Sequence, residues 1–300
     1  MRPLSWTRFL IGAMTLLPLC ASADPIGYAS GYSDLYRVDM ASGQATVVGA
    51  IGFNDVEGLA FAPDGTLFGV VDATAGTGGA ATDFLIRINP SSGQGTLVGP
   101  LGLAGQGPAG NLDYGLAFTC DGKLWASSDT TGELWEVNRS SGSAHRVGAT
   151  GQAISGLAAS PDGLFGISVG ATPSLFRIDT TDASATLVGQ LNVGGVVDDA
   201  GLDFASDGQL WAVLDPEPAA VGPSRAVRVS TELGRANLAS TVNAAVGMEA
   251  LAFPNADLCQ TTAPVLASVE VPGPRPWQLL LLAVVIGMLS VPVLRSRSGA

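Results

Sequence analysis

The chain has 300 residues, of which 47% are hydrophobic and 13% charged, and its formal net charge at pH 7 is −12. Lys123 is its only lysine, so nucleic acids and anionic membrane surfaces are poor partners for a chain this acidic. The composition predicts a substantial buried core once both termini are set aside.

Residues 1–23 have the layout of a signal peptide. Arg2 and Arg8 give a positive start, an apolar run follows, and the small-x-small sequence ASA ends the segment. Cys20 also suggests a lipoprotein, but Leu19 rather than a small residue precedes it. We therefore expect export across the inner membrane to the periplasmic or cell-surface side.

A hairpin sequence repeats along the chain. Its first copy, "GLAFAPDGTLFGV" at 58–70, alternates apolar and small residues on either side of a Pro-Asp-Gly turn, which predicts strand, tight turn and strand. Further copies lie at 115–127, 156–168 and 201–213, and a fifth copy at 250–258 ends after its first strand.

A second repeated hairpin follows each of these. It begins with "LYRVDMASGQATVVG" at 35–49. Related copies lie at 85–99, 134–148, 175–189 and 226–240. One repeat is thus four short strands over about 40–50 residues, which is the period of a β-propeller blade. Five repeat starts predict five blades.

The incomplete fifth repeat predicts how the ring closes. The segment "IGYAS" at 26–30 occupies the position of a second strand, so the N-terminus supplies three strands of one blade and 249–253 returns as its first. We predict an all-β fold, a five-bladed propeller of four-stranded blades at 24–259, in which the two ends of the domain share one blade. A solenoid would need capping repeats, and a sandwich would not require near-copies of one hairpin pair.

The two faces of the predicted ring differ in loop length. Turns within the hairpins are tight, whereas the long connections all open on the other face. These connections are 72–83, 100–113, 190–199 and 215–224. Insertions in repeat proteins map to one face, which is often the binding face. We expect a protein, glycan or small-molecule ligand to bind there.

Carboxylates gather at the channel edge of this long-loop face. Glu57 and Glu249 directly precede two inner strands, and Asp113 and Asp199 lie at the same edge. Other acidic residues near it are Asp55, Asp72, Asp129, Asp198 and Asp215. Converging carboxylates repel one another and a hard divalent cation relieves the repulsion, which predicts a Ca²⁺ site. The alternative is separate, hydrated turn residues.

Few residues point to catalysis. His145 is the only histidine, and its position on an outermost strand predicts a surface residue. The hairpin "GLAFAPDG" at 58–65 resembles those of the six-bladed gluconolactonase-like enzymes, whereas this chain has five repeats. That resemblance implies a lactonase- or esterase-like hydrolase using a channel metal held by carboxylates and Asn.

Two cysteines remain after the signal peptide. Cys120 lies in an inner hairpin turn and Cys259 follows the last inner strand, so both are expected on the face opposite the long loops. An exported protein with two cysteines favours a disulfide, which would hold the returning strand in place. Their blades are not neighbours, so the tail would have to cross the channel mouth.

The C-terminal region has the pattern of a membrane anchor. A Pro-rich stalk at 260–276 precedes the apolar run 277–294, and Arg295 and Arg297 follow it. The run is just long enough for a transmembrane helix, and the arginines predict a cytoplasmic tail at 295–300. A buried core helix is the alternative.

The end of the chain also resembles the PEP-CTERM and IPTL-CTERM sorting signals of Gram-negative bacteria. Val271 and Pro272 are followed by Trp277 at the spacing of the IPTL form, and the segment ends in the basic pair Arg295 and Arg297. The four residues after Pro272 differ from the family motif. The resemblance implies an exosortase-type processing enzyme as a partner.

Two functions stay open at this point. The first is an exported, membrane- or surface-anchored, non-catalytic propeller that binds a ligand through its long-loop face. The second is a metal-dependent hydrolase that uses the carboxylates at the channel mouth.

Overall fold

The protein is described here from a computed structural model. The described residues are 25–72, 83–103, 113–216, 223–254 and 258–259. The predicted signal peptide, stalk, C-terminal helix and sorting-motif residues lie outside these ranges. No helix within them has the length and apolarity needed to cross a bilayer. Chain contacts separate Met1–Gln260 from Thr261–Ala300, and the second unit lies wholly outside the described part.

Within the described residues, twenty strands form five antiparallel sheets of four strands, which are the five predicted blades. Blade 1 contains β1 (Ile26–Gly31), β2 (Asp34–Asp39), β3 (Ala45–Ala50) and β20 (Ala250–Ala252). Blade 2 contains β4 (Val56–Phe61), β5 (Leu67–Val71), β6 (Phe84–Ile88) and β7 (Gly95–Pro100). Blade 3 contains β8 (Tyr114–Phe118), β9 (Leu124–Ser128), β10 (Glu133–Val137) and β11 (Ala144–Ala149). Blade 4 contains β12 (Ile154–Ser160), β13 (Gly163–Ser168), β14 (Ser174–Ile178) and β15 (Ala185–Gln190). Blade 5 contains β16 (Val197–Phe204), β17 (Leu210–Pro216), β18 (Arg225–Val229) and β19 (Ala236–Thr241).

The predicted closure of the ring is confirmed. Strand β20 pairs with β1 in the register Ser30↔Ala250, Ala29↔Leu251 and Tyr28↔Ala252. The strands β20, β4, β8, β12 and β16 contact one another in that order around the axis. They are the innermost strands, and the chain's last described strand completes the blade that its first three begin.

The hydrophobic core lies between the blades. Each of its five clusters joins the facing sides of two neighbouring blades. Between blades 4 and 5, for example, the rings of Phe165 and Phe204 meet edge to face at 5.7 Å. Every residue of the inner strand pair β4 and β5 except Phe61 is buried, as expected for strands covered on both sides. Burial between blades therefore fixes the relative position of the strands that line the axis.

The outer edge of each blade is protected by an irregularity. A register shift interrupts the pairing of each outermost strand with its neighbour in all five sheets. Such a bulge twists an edge strand away from the flat geometry that another chain can extend. The bulges therefore oppose edge-to-edge association.

Glycines allow neighbouring blades to approach closely near this edge. A Cβ atom on Gly189 of β15 would overlap the carbonyl oxygen of Leu233 in the turn of blade 5. The turn residue Gly234 has a φ of 69° and lies against Gly189. Between blades 3 and 4 the corresponding turn position is Ala183, whose φ is 67°. The repeated glycines of the second hairpin thus serve contacts between blades.

The predicted disulfide is present. Cys120 and Cys259 are bonded, with Cα atoms 5.0 Å apart and 139 positions of sequence between them. Leu258, next to Cys259, packs against the hydrophobic cluster between blades 4 and 5. The bond therefore ties the segment after β20 to the β8–β9 turn of blade 3.

We predict that Gly189→Ala lowers the free energy of unfolding by about 1–3 kcal/mol, because the new methyl group overlaps backbone that cannot retract. The opposite type of change at the turn between blades 3 and 4, Ala183→Gly, should raise the free energy of unfolding by up to about 1 kcal/mol, since it removes a side chain from a left-handed conformation. Calorimetric melting measures both. A Gly189→Ala protein that melts like the wild type would contradict the steric account.

We also predict that Cys259→Ser lowers the free energy of unfolding by about 2–5 kcal/mol, because the bond closes a long loop in the unfolded chain. Cys120→Ser and the double variant should show the same loss, since each removes one and the same bond. Denaturant titration checks this. Losses that add in the double variant would show that the cysteines act separately.

Candidate metal centre

The residues at the start of four inner strands bring carboxylates together at the long-loop end of the ring axis. Glu57 is the second residue of β4, and Asp199 is the third residue of β16. Asp113 immediately precedes β8, and Glu249 immediately precedes β20. Because these strands all begin at the same face of the ring, the four predicted side chains meet at the channel mouth.

The carboxylates form two groups of three. Oxygens of Asp55, Glu57 and Glu249 lie within 4.8 Å of one another, and so do oxygens of Glu57, Asp113 and Asp199. Glu57 belongs to both groups. The sequence placed Asp55 only near this edge, and the structure brings it into contact range of two predicted residues.

Glu57 is the most buried member of the cluster. Its relative exposure is 6%, and its Oε2 atom has no hydrogen-bond partner among the described residues. A buried carboxylate oxygen without a donor loses its hydration and receives nothing in return. The centre of the cluster therefore has a buried polar atom without a partner among the described residues.

The other carboxylates have partial support from the fold. The backbone N–H of Tyr32 donates to Glu249 Oε2 at 2.9 Å, and Ser155 Oγ donates to Asp199 Oδ1 at 3.3 Å. The N–H of Asp113 donates to Asp129 Oδ1 at 3.1 Å. These donors orient the side chains but add no positive charge.

Burial and mutual repulsion shift the ionisation of these groups. Burial, followed by the charges of Asp199 and Glu249, raises the pKa of Glu57 well above its usual value. Burial, followed by the charge of Asp113, raises the pKa of Asp199 in the same way. Burial chiefly raises the pKa of Asp113 to about 7 and that of Glu249 to about 8. The folded protein thus disfavours the charged form of every one of these carboxylates.

Two residues beside the cluster adopt unusual backbone conformations. Asp55 has a φ of 59° and Tyr32 a φ of 57°. The carbonyl of Asp55 accepts a bond from Asp72 N at 2.9 Å, and that of Tyr32 accepts one from Val56 N at 3.2 Å. Strained backbone of this kind is retained where the surrounding structure requires it, commonly at functional sites. Here it positions Asp55 and, through the Tyr32 N–H, Glu249.

A pocket of about 350 Å³ lies over the carboxylates. Its lining residues are Asp55, Glu57, Asp113, Asp129, Val169, Gly170, Val196, Val197, Asp198, Asp199 and Glu249. No lysine, arginine, histidine or cysteine of the described residues is among them. Asp72 and Asp215, expected nearby from the sequence, do not line it, and Asp215 instead accepts a hydrogen bond from Ser224 Oγ at 2.9 Å.

The pocket is a blind funnel. Below the carboxylates the axis narrows to a space of about 10 Å³ that is lined by one leucine from each inner strand. These residues are Leu59, Leu116, Leu157, Leu202 and Leu251, all at most 3% exposed. A ligand in the funnel must therefore enter and leave through the long-loop face.

The lone histidine lies away from the funnel. His145 is exposed on β11, an outermost strand, as the sequence predicted. Among the described residues that line the funnel, ionisable chemistry is therefore limited to carboxylates.

Comparisons with known proteins add nothing to this chemistry. No family model matches the chain, and a search of curated proteins finds no match.

Among solved structures, the chain is similar to a structural genomics protein of unknown function from Bacteroides thetaiotaomicron VPI-5482. The identity is 17% and the TM-score 0.45, over 63% of this chain and 53% of that one. It is also similar to hydrazine synthase of Kuenenia stuttgartiensis, with 18% identity and a TM-score of 0.41 over 60% of this chain and 47% of that one. The chain thus spans about half the length of each of these two structures. A nidogen/laminin complex matches with 10% identity and a TM-score of 0.47, over 77% of this chain and 98% of that one. Likenesses this distant identify neither a family nor a function.

Proposed function

We propose that the protein is an exported, anchored propeller that binds Ca²⁺ in the carboxylate funnel and presents the long-loop face to a ligand. The observation that carries the proposal is the environment of Glu57. This residue is a buried carboxylate with an unpartnered oxygen, and it lies at the centre of four more carboxylates. A divalent cation supplies the positive charge that no described lining residue provides.

The donor set favours calcium over other metals. Every candidate ligand is an oxygen, which suits hard cations, whereas zinc prefers the nitrogen and sulfur ligands that the described lining lacks. Ca–O distances are about 2.3–2.6 Å, so oxygens on opposite sides of one ion lie about 4.6–5.2 Å apart. The three oxygens of each group lie within 4.8 Å of one another, so all three can contact one such ion. Mg²⁺ demands a smaller and more regular octahedron.

The absence of other reactive groups in the described lining favours binding over catalysis. The hydrolase alternative is supported by the resemblance of the inner hairpin and by the carboxylates that would hold its metal. A funnel carboxylate that does not hold the metal would act as the general base, and the metal would supply electrostatic activation. The substrate class would then be the lactones or esters implied by the hairpin resemblance.

The remaining parts of the proposal concern location. The disulfide between Cys120 and Cys259 fits an oxidising compartment outside the cytoplasm. In this proposal residues 1–23 direct export. The segment 277–294 anchors the protein in the membrane until an exosortase-type enzyme processes it, and the arginines beyond the segment stay in the cytoplasm.

We expect calorimetric titration of Ca²⁺ into the full-length, metal-free chain to show saturable binding that the variant Glu57→Gln/Glu249→Gln loses. A matched control is Asp64→Asn/Asp162→Asn, which removes two negative charges from tight turns on the opposite face and should bind like the wild type. Absence of saturable heat at millimolar Ca²⁺ would overturn the proposal. Hydrolysis of lactones or esters that is lost in the Glu57 variant would instead establish the alternative.

We further predict that the metal-free protein loses stability as pH rises from about 5 to about 8. The pKa of Asp113 is raised to about 7 and that of Glu249 to about 8, chiefly by burial, so the folded state holds protons that the unfolded state releases near pH 4. Their stabilising contribution is complete at low pH and is lost as pH passes the folded values. Each such proton changes the unfolding free energy by about 1.4 kcal/mol per pH unit.

Melting temperatures in a chelating buffer between pH 5 and 8 check this slope. Saturating Ca²⁺ should raise the melting temperature most at pH 8, where its ligands are ionised. Without metal, Glu57→Gln should melt above the wild type at pH 8, because glutamine is neutral, whereas a buried glutamate must either hold a proton that the unfolded chain releases or carry a charge that burial disfavours. A metal-free wild type that becomes more stable toward pH 8 would contradict the electrostatic account.

A further inference from the structure

The two carboxylate groups share Glu57. This arrangement can hold more than one ion. We propose that the funnel holds two divalent cations, one in each group, bridged by Glu57. The proposal rests on the proposed function, since it specifies how many ions the same funnel takes.

The distances between their oxygen atoms divide the five carboxylates into two groups that share one member. Asp55 and Glu249 join Glu57 in one group, whereas Asp113 and Asp199 join it in the other. Within the part of the chain that the structure describes, the oxygens form these two groups of three and not one group of five. Two ions, one in each group, can bind the three oxygens of each group as the structure places them.

Different blades supply the two groups. Glu249 comes from the blade 1 end of the ring and Asp55 from the chain entering blade 2, while Asp113 enters blade 3 and Asp199 lies in blade 5. Glu57 stands between them on β4. Carboxylates that bridge paired ions hold them about 3.5–4 Å apart, which a single side chain shared by both groups can provide.

Charge also favours two ions. Five ionised carboxylates carry five negative charges, and the described funnel lining contributes no positive side chain. One divalent cation would leave three of these charges uncompensated in a partly buried place, whereas two leave one. Repulsion among buried carboxylates is strong. The negative charge that remains after one ion has bound therefore favours the binding of a second ion.

The environment of Glu57 indicates a bound ligand independently of the grouping of the carboxylates. The Glu57 side chain is more than nine-tenths buried, it lines the funnel, and its Oε2 has no partner among the described residues. A bridging role uses both oxygens of the carboxylate, including this one. Coordination positions that the five carboxylates leave open would be filled by water or by a ligand's oxygen atoms.

Native mass spectrometry and calorimetry of the full-length chain with Ca²⁺ test the stoichiometry. We expect two ions per chain for the wild type and for the control Asp64→Asn/Asp162→Asn. Asp55→Asn/Glu249→Gln should retain one ion, as should Asp113→Asn/Asp199→Asn. Glu57→Gln should weaken both sites at least tenfold, because it belongs to both.

The outcomes separate this inference from the proposed function. One ion in the wild type, lost equally in every funnel variant, would overturn the two-ion proposal and leave the calcium funnel standing. No bound ion would overturn both. Near-UV circular dichroism establishes that each variant is folded, and the wild-type stoichiometry decides the question even where a variant fails to fold.

Discussion

The close packing of five strands around one axis is the constraint on which the rest of this structure depends. Each complete inner hairpin begins with Gly-Leu, and the glycine is needed because the neighbouring strand passes beside it. A Cβ on Gly58 would come within 2.9 Å of the Tyr114 carbonyl oxygen, and one on Gly156 within 2.5 Å of the Ala200 carbonyl oxygen. The leucines that follow fill the axis, so a ring this small leaves no open channel.

The same closeness creates the candidate metal centre. Glu57 directly precedes Gly58, and Glu249 occupies the corresponding position before β20. Strands that are near enough to exclude a Cβ also hold the side chains one residue upstream near one another. Burial is the first cause of the raised pKa of the Glu57 and Glu249 carboxyl groups. That burial follows from the close approach of the inner strands in a small ring. Under the proposed function, a bound cation would compensate the charges that this packing brings together.

The sequence was sufficient for the strands but not for the distances between blades. Repeated hairpins predicted the four-stranded blades, the split blade and the edge at which the carboxylates lie, because strand identity and direction follow from local pattern. The disulfide was predicted from the two cysteines of an exported chain. The division of the carboxylates into two groups depends on which blades face each other across the axis. The left-handed Ala183 has no local signal, since it is not the glycine that usually marks such a conformation.

Ring closure and the funnel meet at β20, the shortest strand. This strand pairs with β1 at only three positions, so its ends need support. At the funnel end, Glu249 N donates to the Ser30 carbonyl, and its side chain accepts from Tyr32. At the other end, the N–H of Phe253 donates to Asp203 Oδ2 at 2.7 Å, and Cys259 is bonded to blade 3. A cation held by Glu249 would therefore act on the same strand as the disulfide. Under the proposed function, binding in the funnel and closure of the ring would therefore be physically linked, because each would stabilise the segment on which the other depends.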